Sequence, residues 1–220
     1  MIERQDDLGP GRITSIRAQS KAPDRVSIYI DGRFAVGIHR DVLLEFDVRK
    51  GGELDLETQR AMLRRDAAFR ARSAAFRYLS HRDRTVAEMR HRLERARFEA
   101  DVVEEVVEHL RAAGYVDDRS YARTYAETRF STSGYGPVRV RADLLRRGVS
   151  PEEAESAVEH VFAEHDRVLE RARQLGRKRW QRLQGERDQL KRRKKVFDYL
   201  ARRGFSYEVA LEVVDDVSRI

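Results

Sequence analysis

The 220-residue sequence contains no cysteine, which excludes disulfides, thiolate metal sites and cysteine nucleophiles. It has no apolar run approaching the length of a membrane span. The opening segment MIERQDDLGPGR is polar and lacks the apolar core of a secretory signal. A cytoplasmic protein with no membrane contact is expected. There is no glycine-rich phosphate loop with a following lysine, and Gly134-Tyr135-Gly136 reads as a turn. The histidines at 39, 81, 91, 109, 160 and 165 form no metal-ligand spacing. His109 and His160 share one repeat position, which points to a structural role. Asp117 and Asp118 are adjacent carboxylates, but they precede a helix, where capping accounts for one of them. With no nucleophile and no acid–base constellation, the expectation is a non-enzymatic protein with no cofactor and no metal.

What is present is charge. Charged residues make up 38% of the chain, and 45 Lys and Arg against 38 Asp and Glu give a formal net charge of +7. Such a balance attracts polyanions: DNA, RNA or an anionic membrane. The charge is segregated. Between Arg70 and Arg97 there are nine arginines against three acids, 9 − 3 = +6, and the helix after them is acidic. A second stretch repeats the split, with Arg139, Arg141, Arg146 and Arg147 followed by Glu152, Glu153, Glu155 and Glu159. From Glu164 to Phe205 there are fifteen basic residues against six acids, 15 − 6 = +9, more than the net charge of the whole chain.

Periodicity divides the chain. Residues 1–11 read as a flexible arm. Residues 12–55 read as a small β-rich module of two or three strands. Its run VSIYIDGRFAVGI alternates about an Asp31-Gly32 hairpin signal, and the short helix HRDVLLEF follows. Beyond Leu56 the pattern is helical. LERARFEADVVEEVVEHL, LLRRGVSPEEAESAVEHV and LARRGFSYEVALEVVDDV align without gaps at offsets of 51 and 56 residues. In each, the last helix places apolar residues at i, i+3, i+4 and i+7, as at Val103, Val106, Val107 and Leu110. Thr85 with Glu88 and Ser150 with Glu153 make capping boxes. Pro151 and Pro137 suit first helical positions, and Gly114, Gly148 and Gly204 suit helix stops. Ser131–Gly136 reads as a loop. The fold expected is mainly α: three tandem three-helix units, after the N-terminal β-hairpin module. The units are residues 56–116 including a linker helix, 117–163, and 164–220 with a basic hairpin near Gly185.

RYLSHRDRTVAEMRHRL (Arg77–Leu93), VVEEVVEHLRAAGYVDDRSYARTYAETR (Val102–Arg129) and LRRGVSPEEAESAV (Leu145–Val158) resemble the RecX family of recombination regulators. GYVDDRSYA is the most specific segment: an aromatic, a hydrophobic residue and two acids lead into a helix opening with an aromatic and an alanine. The resemblance covers about residues 72–218. The β-rich start is similar to extensions found in some members. The resemblance implies a curved, elongated array of three-helix units that binds the RecA recombinase filament on single- or double-stranded DNA. It also implies inhibition of the filament's ATPase and strand exchange, in recombination, repair and the SOS response.

On that reading the contact residues are Arg77, Arg82, Arg90, Arg92 and Arg97 in the first unit. In the third they are Lys178, Arg179, Trp180 and Arg182, with the run Lys191, Arg192, Arg193, Lys194 and Lys195. Phosphate binding is the natural role for such a run, although a solvated face is the plainer one. Trp180, the only tryptophan, either stacks on a base or partner surface or packs in the third core. Tyr115, Asp117 and Tyr121 are assigned to the junction between units. A sequence-independent DNA- or RNA-binding protein is the second reading, and a helical scaffold for acidic partners the third. Nothing suggests an obligate dimer, so a monomer is expected.

Overall fold

A computed structural model describes residues 8–219. Most of the expected arm, residues 1–7, lies outside the described residues, and Gly11 already opens a strand. Strands β1 (Gly11–Gln19), β2 (Ala22–Ile30), β3 (Arg33–His39) and β4 (Glu53–Leu54) form an antiparallel sheet in the order β3-β2-β1-β4. The alternation seen in the sequence sends Val26, Ile28 and Ile30 to one face, where they bury with Ile13, Val36 and Ile38. Asp31 and Gly32, at φ 47° and 83°, close the β2–β3 hairpin. The described residues thus hold one strand more than the pattern suggested: β4 is two residues long, too short to display an alternation.

Two helices follow this sequence logic. α1 (Arg40–Glu45) begins directly after β3. α2 (Leu56–Leu79) is capped by Asp55, which accepts from the Thr58 N–H, and lays Met62 into the sheet's core. Asp66 of α2 is buried yet fully partnered. It accepts both Arg25 guanidinium nitrogens at 3.0 and 3.2 Å and the His39 N–H at 2.8 Å, and pairs with Arg70 at 3.0 Å. A carboxylate with that many donors is stable away from water, and it ties helix to sheet.

Three helical trios follow. The first uses the end of α2 with α3 (Val86–Arg95) and α4 (Ala100–Ala112). The second is α5 (Asp118–Thr128), α6 (Pro137–Arg146) and α7 (Pro151–Val161). The third is α8 (His165–Gln181), α9 (Gln189–Arg202) and α10 (Tyr207–Ser218). The i, i+3, i+4, i+7 stripes are the buried faces of α4, α7 and α10. Pro137 and Pro151 occupy first turns, and Ser150 accepts from the Glu153 N–H. One expectation is corrected. Ser131–Ser133, expected to open a loop, instead lie in a wide π turn, Arg129–Ser133, that continues α5 and is stopped by Gly134 at φ 62°. Ser131 and Thr132 donate back to the carbonyls of Glu127 and Thr128, which sustains the turn despite poor helix formers.

The turn between the middle and last helix of a trio is built alike each time. Gly148 and Gly204 sit there at φ 80° and 86°, and Arg97 occupies the same place at φ 63°, a conformation that costs a non-glycine residue about 1–2 kcal/mol. Two of these turns dock on the start of the preceding trio's middle helix. The Arg147 carbonyl accepts from Thr85 Oγ1 at 2.7 Å, at the start of α3. The Arg203 and Gly204 carbonyls accept from the Gly136 and Val138 N–H groups at 2.7 and 3.1 Å, at the start of α6. The approach is close: a Cβ on Gly136 would lie 2.4 Å from the Gly204 oxygen, and one on Gly148 would lie 2.2 Å from Ala87 Cβ.

The chain forms two compact units. One holds the sheet, α2 and residues 90–110; the other holds residues 83–89 and everything after Leu110. The start of α3 therefore belongs with the second trio, whose turn and whose Asp118 it contacts.

Candidate partner-binding surface

In the first unit, Arg77 and Arg92 line a groove of about 560 Å³ together with Phe69, Ala74 and Phe98. The Arg92 guanidinium lies 5.8 Å from the Tyr78 ring centroid. Arg77, Arg92 and Arg97 are exposed, and none has a carboxylate partner among the described residues. Arg82 is exposed as well. Arg90 differs: it makes a two-pronged bond to Glu104 at 2.5 and 2.8 Å, and that bond holds the Glu104 carboxyl below its ordinary range. The second trio copies this pair as Arg141–Glu155 at 2.5 Å. The third puts Phe197 and Leu211 at the same positions. Arg90 thus belongs to helix pairing within its trio.

The basic third trio sorts the same way. Lys191 pairs with Asp188 at 3.6 Å, Lys195 with Glu186 at 2.5 Å, and Arg193 with Asp215 and Ser218. The Lys195 bond is the main reason the Glu186 carboxyl sits below its usual range. Arg192 stacks 3.8 Å from the Trp180 ring centroid and donates to the Trp180 carbonyl at 2.7 Å. Trp180 is half-buried against the third core with its face covered by that arginine, so packing rather than an open stacking platform describes it. Arg179 is half-buried, 5.7 Å from the Tyr199 ring. Lys178, Arg182 and Lys194 remain exposed, with no ion pair among the described residues.

Near the second trio's start, Asp117 accepts from the Arg119 and Ser120 N–H groups and caps α5. Asp118, which takes no part in that cap, accepts from the Val86 N–H at 2.8 Å. Burial raises its carboxyl above the ordinary 3.8, against that hydrogen bond. The Tyr121 hydroxyl accepts from Arg147, which also reaches Glu88 at 3.1 Å. Tyr115 is exposed. Sequence reasoning noted Arg139, Arg146 and Arg147 as basic but gave them no contact role and left out Arg129; these four line one cleft with Tyr125, Tyr135 and Asp143. Tyr125 and Arg129, and Tyr135 and Arg139, are each four residues apart, a spacing that brings side chains together on a helix. Among the described residues there is no group of three His, Cys, Asp or Glu placed to hold a metal, and no helix long and apolar enough to cross a membrane.

Comparison with known proteins decides the family. Residues 71–110, 117–158 and 165–214 match the first, second and third three-helix domains of RecX, and residues 11–55 match the N-terminal domain of regulatory protein RecX. A regulatory protein RecX from Leuconostoc mesenteroides is 33% identical over 206 residues, covering 94% of this chain and 76% of the relative. The chain belongs to the RecX family. A second RecX, from Clostridioides difficile, is 27% identical and covers 93% of this chain and 95% of the relative. The fold is similar to a crystal structure of regulatory protein RecX, with a TM-score of 0.75 at 29% identity over 93% of this chain and 98% of that one. The β module is thus part of the likeness to RecX, which extends further toward the N-terminus than the helical motifs alone indicated. RecX is a family of regulatory proteins, and the three-helix repeats are its hallmark here.

Proposed function

We propose that this chain is a non-enzymatic modulator of homologous recombination that binds the RecA–DNA filament and inhibits its ATPase and strand exchange. The observation that carries the reading is the RecX domain order over nearly the whole chain. Segregated basic surface supports it: a third trio carrying +9 between Glu164 and Phe205, with Lys178, Arg182 and Lys194 open to solvent. Open cations without carboxylate partners can neutralise phosphates or acidic filament surface without first breaking an internal pair.

The test is recombinase ATPase on single-stranded DNA with substoichiometric amounts of this chain. ATP hydrolysis is expected to fall. No change at any ratio up to equimolar overturns the proposal. Charge reversal at Lys178 and Lys194 is expected to weaken inhibition while leaving the fold intact, because neither side chain has an ion pair among the described residues.

A further inference from the structure

We propose that the cleft beside α5, the π turn and α6 is a phosphodiester-binding site that grips a nucleic-acid strand by its backbone. The cleft measures about 350 Å³, and its charged lining is Arg129, Arg139, Arg146 and Arg147 against Asp143 alone, 4 − 1 = +3. Asp143 is committed inward. It is buried, pairs with Arg146 and accepts from the Tyr125 hydroxyl at 3.2 Å. Arg147 is spoken for by Glu88. The remaining two arginines are not. Among the described residues, the Arg139 side chain donates only to the Arg202 carbonyl and the Tyr135 hydroxyl. The Arg129 side chain has no hydrogen bond or ion pair among the described residues; its guanidinium rests 5.0 Å from the Tyr125 ring centroid. Two guanidinium groups in one concave site, each with donors left over and no carboxylate, are matched to the paired oxygens of a phosphate.

The aromatic rings decide how a strand is read. Tyr125 is flanked by Arg129 at 5.0 Å, Arg147 at 4.8 Å and the near-parallel Tyr121 ring at 6.0 Å, and Tyr135 is covered by Arg139 at 3.8 Å. Each ring already carries at least one guanidinium, so the rings serve to orient arginines. Recognition is therefore of the phosphate backbone, without base preference. The site lies in the second trio and uses none of the cations assigned to the filament in the first and third. It stands or falls without any recombinase, so its failure is distinct from failure of the filament proposal.

The experiment uses the full chain and fluorescein-labelled oligothymidylate, read by anisotropy over a salt series. Arg129→Gln with Arg139→Gln is expected to weaken binding about tenfold. The slope of log K against log salt should become shallower by about 1.4, about 0.7 for each single-strand phosphate no longer neutralised. Lys21→Gln with Lys50→Gln removes the same formal charge from the β module. Equal effects of the two double variants would overturn the proposal. Because Arg139 also braces the Arg202 carbonyl, Arg129→Gln alone is the second test, with an expected slope change of about 0.7, and Arg129→Lys should restore most of it. Oligoadenylate should respond as oligothymidylate does; a loss confined to one of them would overturn backbone recognition. Displacement by an oligoglutamate as effective as by unlabelled oligonucleotide would equally overturn it, in favour of an acidic protein partner.

Discussion

Arg97 holds a left-handed backbone at a position where the other two trios carry glycine. Arg97→Gly removes that strain, about 1–2 kcal/mol, while the more flexible unfolded chain takes back about 0.4–1 kcal/mol. A net gain of up to about 1.6 kcal/mol is expected, measured as a higher urea midpoint with unchanged slope. Asp118 gives a second prediction. Its folded-state pKa is raised above 3.8, chiefly by burial. The folded state therefore holds the proton more tightly than the unfolded chain. Its contribution is fully present below 3.8 and is lost as pH rises through the raised value. Asp118→Asn keeps an oxygen for the Val86 N–H and removes that loss. The stability of the variant relative to the parent should increase with pH above 3.8, read from urea midpoints at acidic and neutral pH. A difference that shrinks with rising pH would contradict the assignment. Both features escape a sequence reading. A positive φ at arginine has no compositional mark, and burial of one of two neighbouring aspartates depends on what folds over it.

Helices were legible because each rests on a local signal. The stripes of α4, α7 and α10 follow a 3.6-residue period, and Asp117, Ser150 and the first-turn prolines mark starts. Residues 131–133 were not legible, since Ser-Thr-Ser before Gly134 suggests a loop until the hydroxyls of Ser131 and Thr132 are seen bonding back to carbonyls one turn earlier. The docking of turn on helix start was equally hidden, being a contact between residues about 60 apart. Gly136→Ala tests it. The added methyl would meet the Gly204 carbonyl at 2.4 Å, and backbone on both sides leaves little room to yield. A loss of about 2–3 kcal/mol is expected, compared with well under 1 kcal/mol for Gly185→Ala, whose Cβ meets nothing. Equal midpoint shifts for the two variants would show that the contact carries no weight.

At the scale of the whole molecule, the three-helix repeats and the β-rich start could be read from residue spacing, and resemblance supplied the family. The candidate surface was legible only as composition. Sequence locates cations but does not say which are consumed. Arg90, Arg193 and Lys195 answer carboxylates within their own trios, while Lys178, Arg182 and Lys194 have no such partner among the described residues. The cleft of the second trio was missed for a related reason: its four arginines are spread over nineteen positions, from Arg129 to Arg147, and form no run. The docked turns also give the array a direction. The start of α3 leans on the second trio, and the start of α6 leans on the third. The start of α9 is closed by its own Asp188, which accepts from the Leu190 and Lys191 N–H groups. Only the last trio is self-sufficient at that point. A chain cut after Val161 would leave the Gly136 and Val138 amides without acceptors. Their hydrogen exchange should accelerate before that of α7, so that unravelling runs from the severed end toward the N-terminus, one borrowed cap at a time.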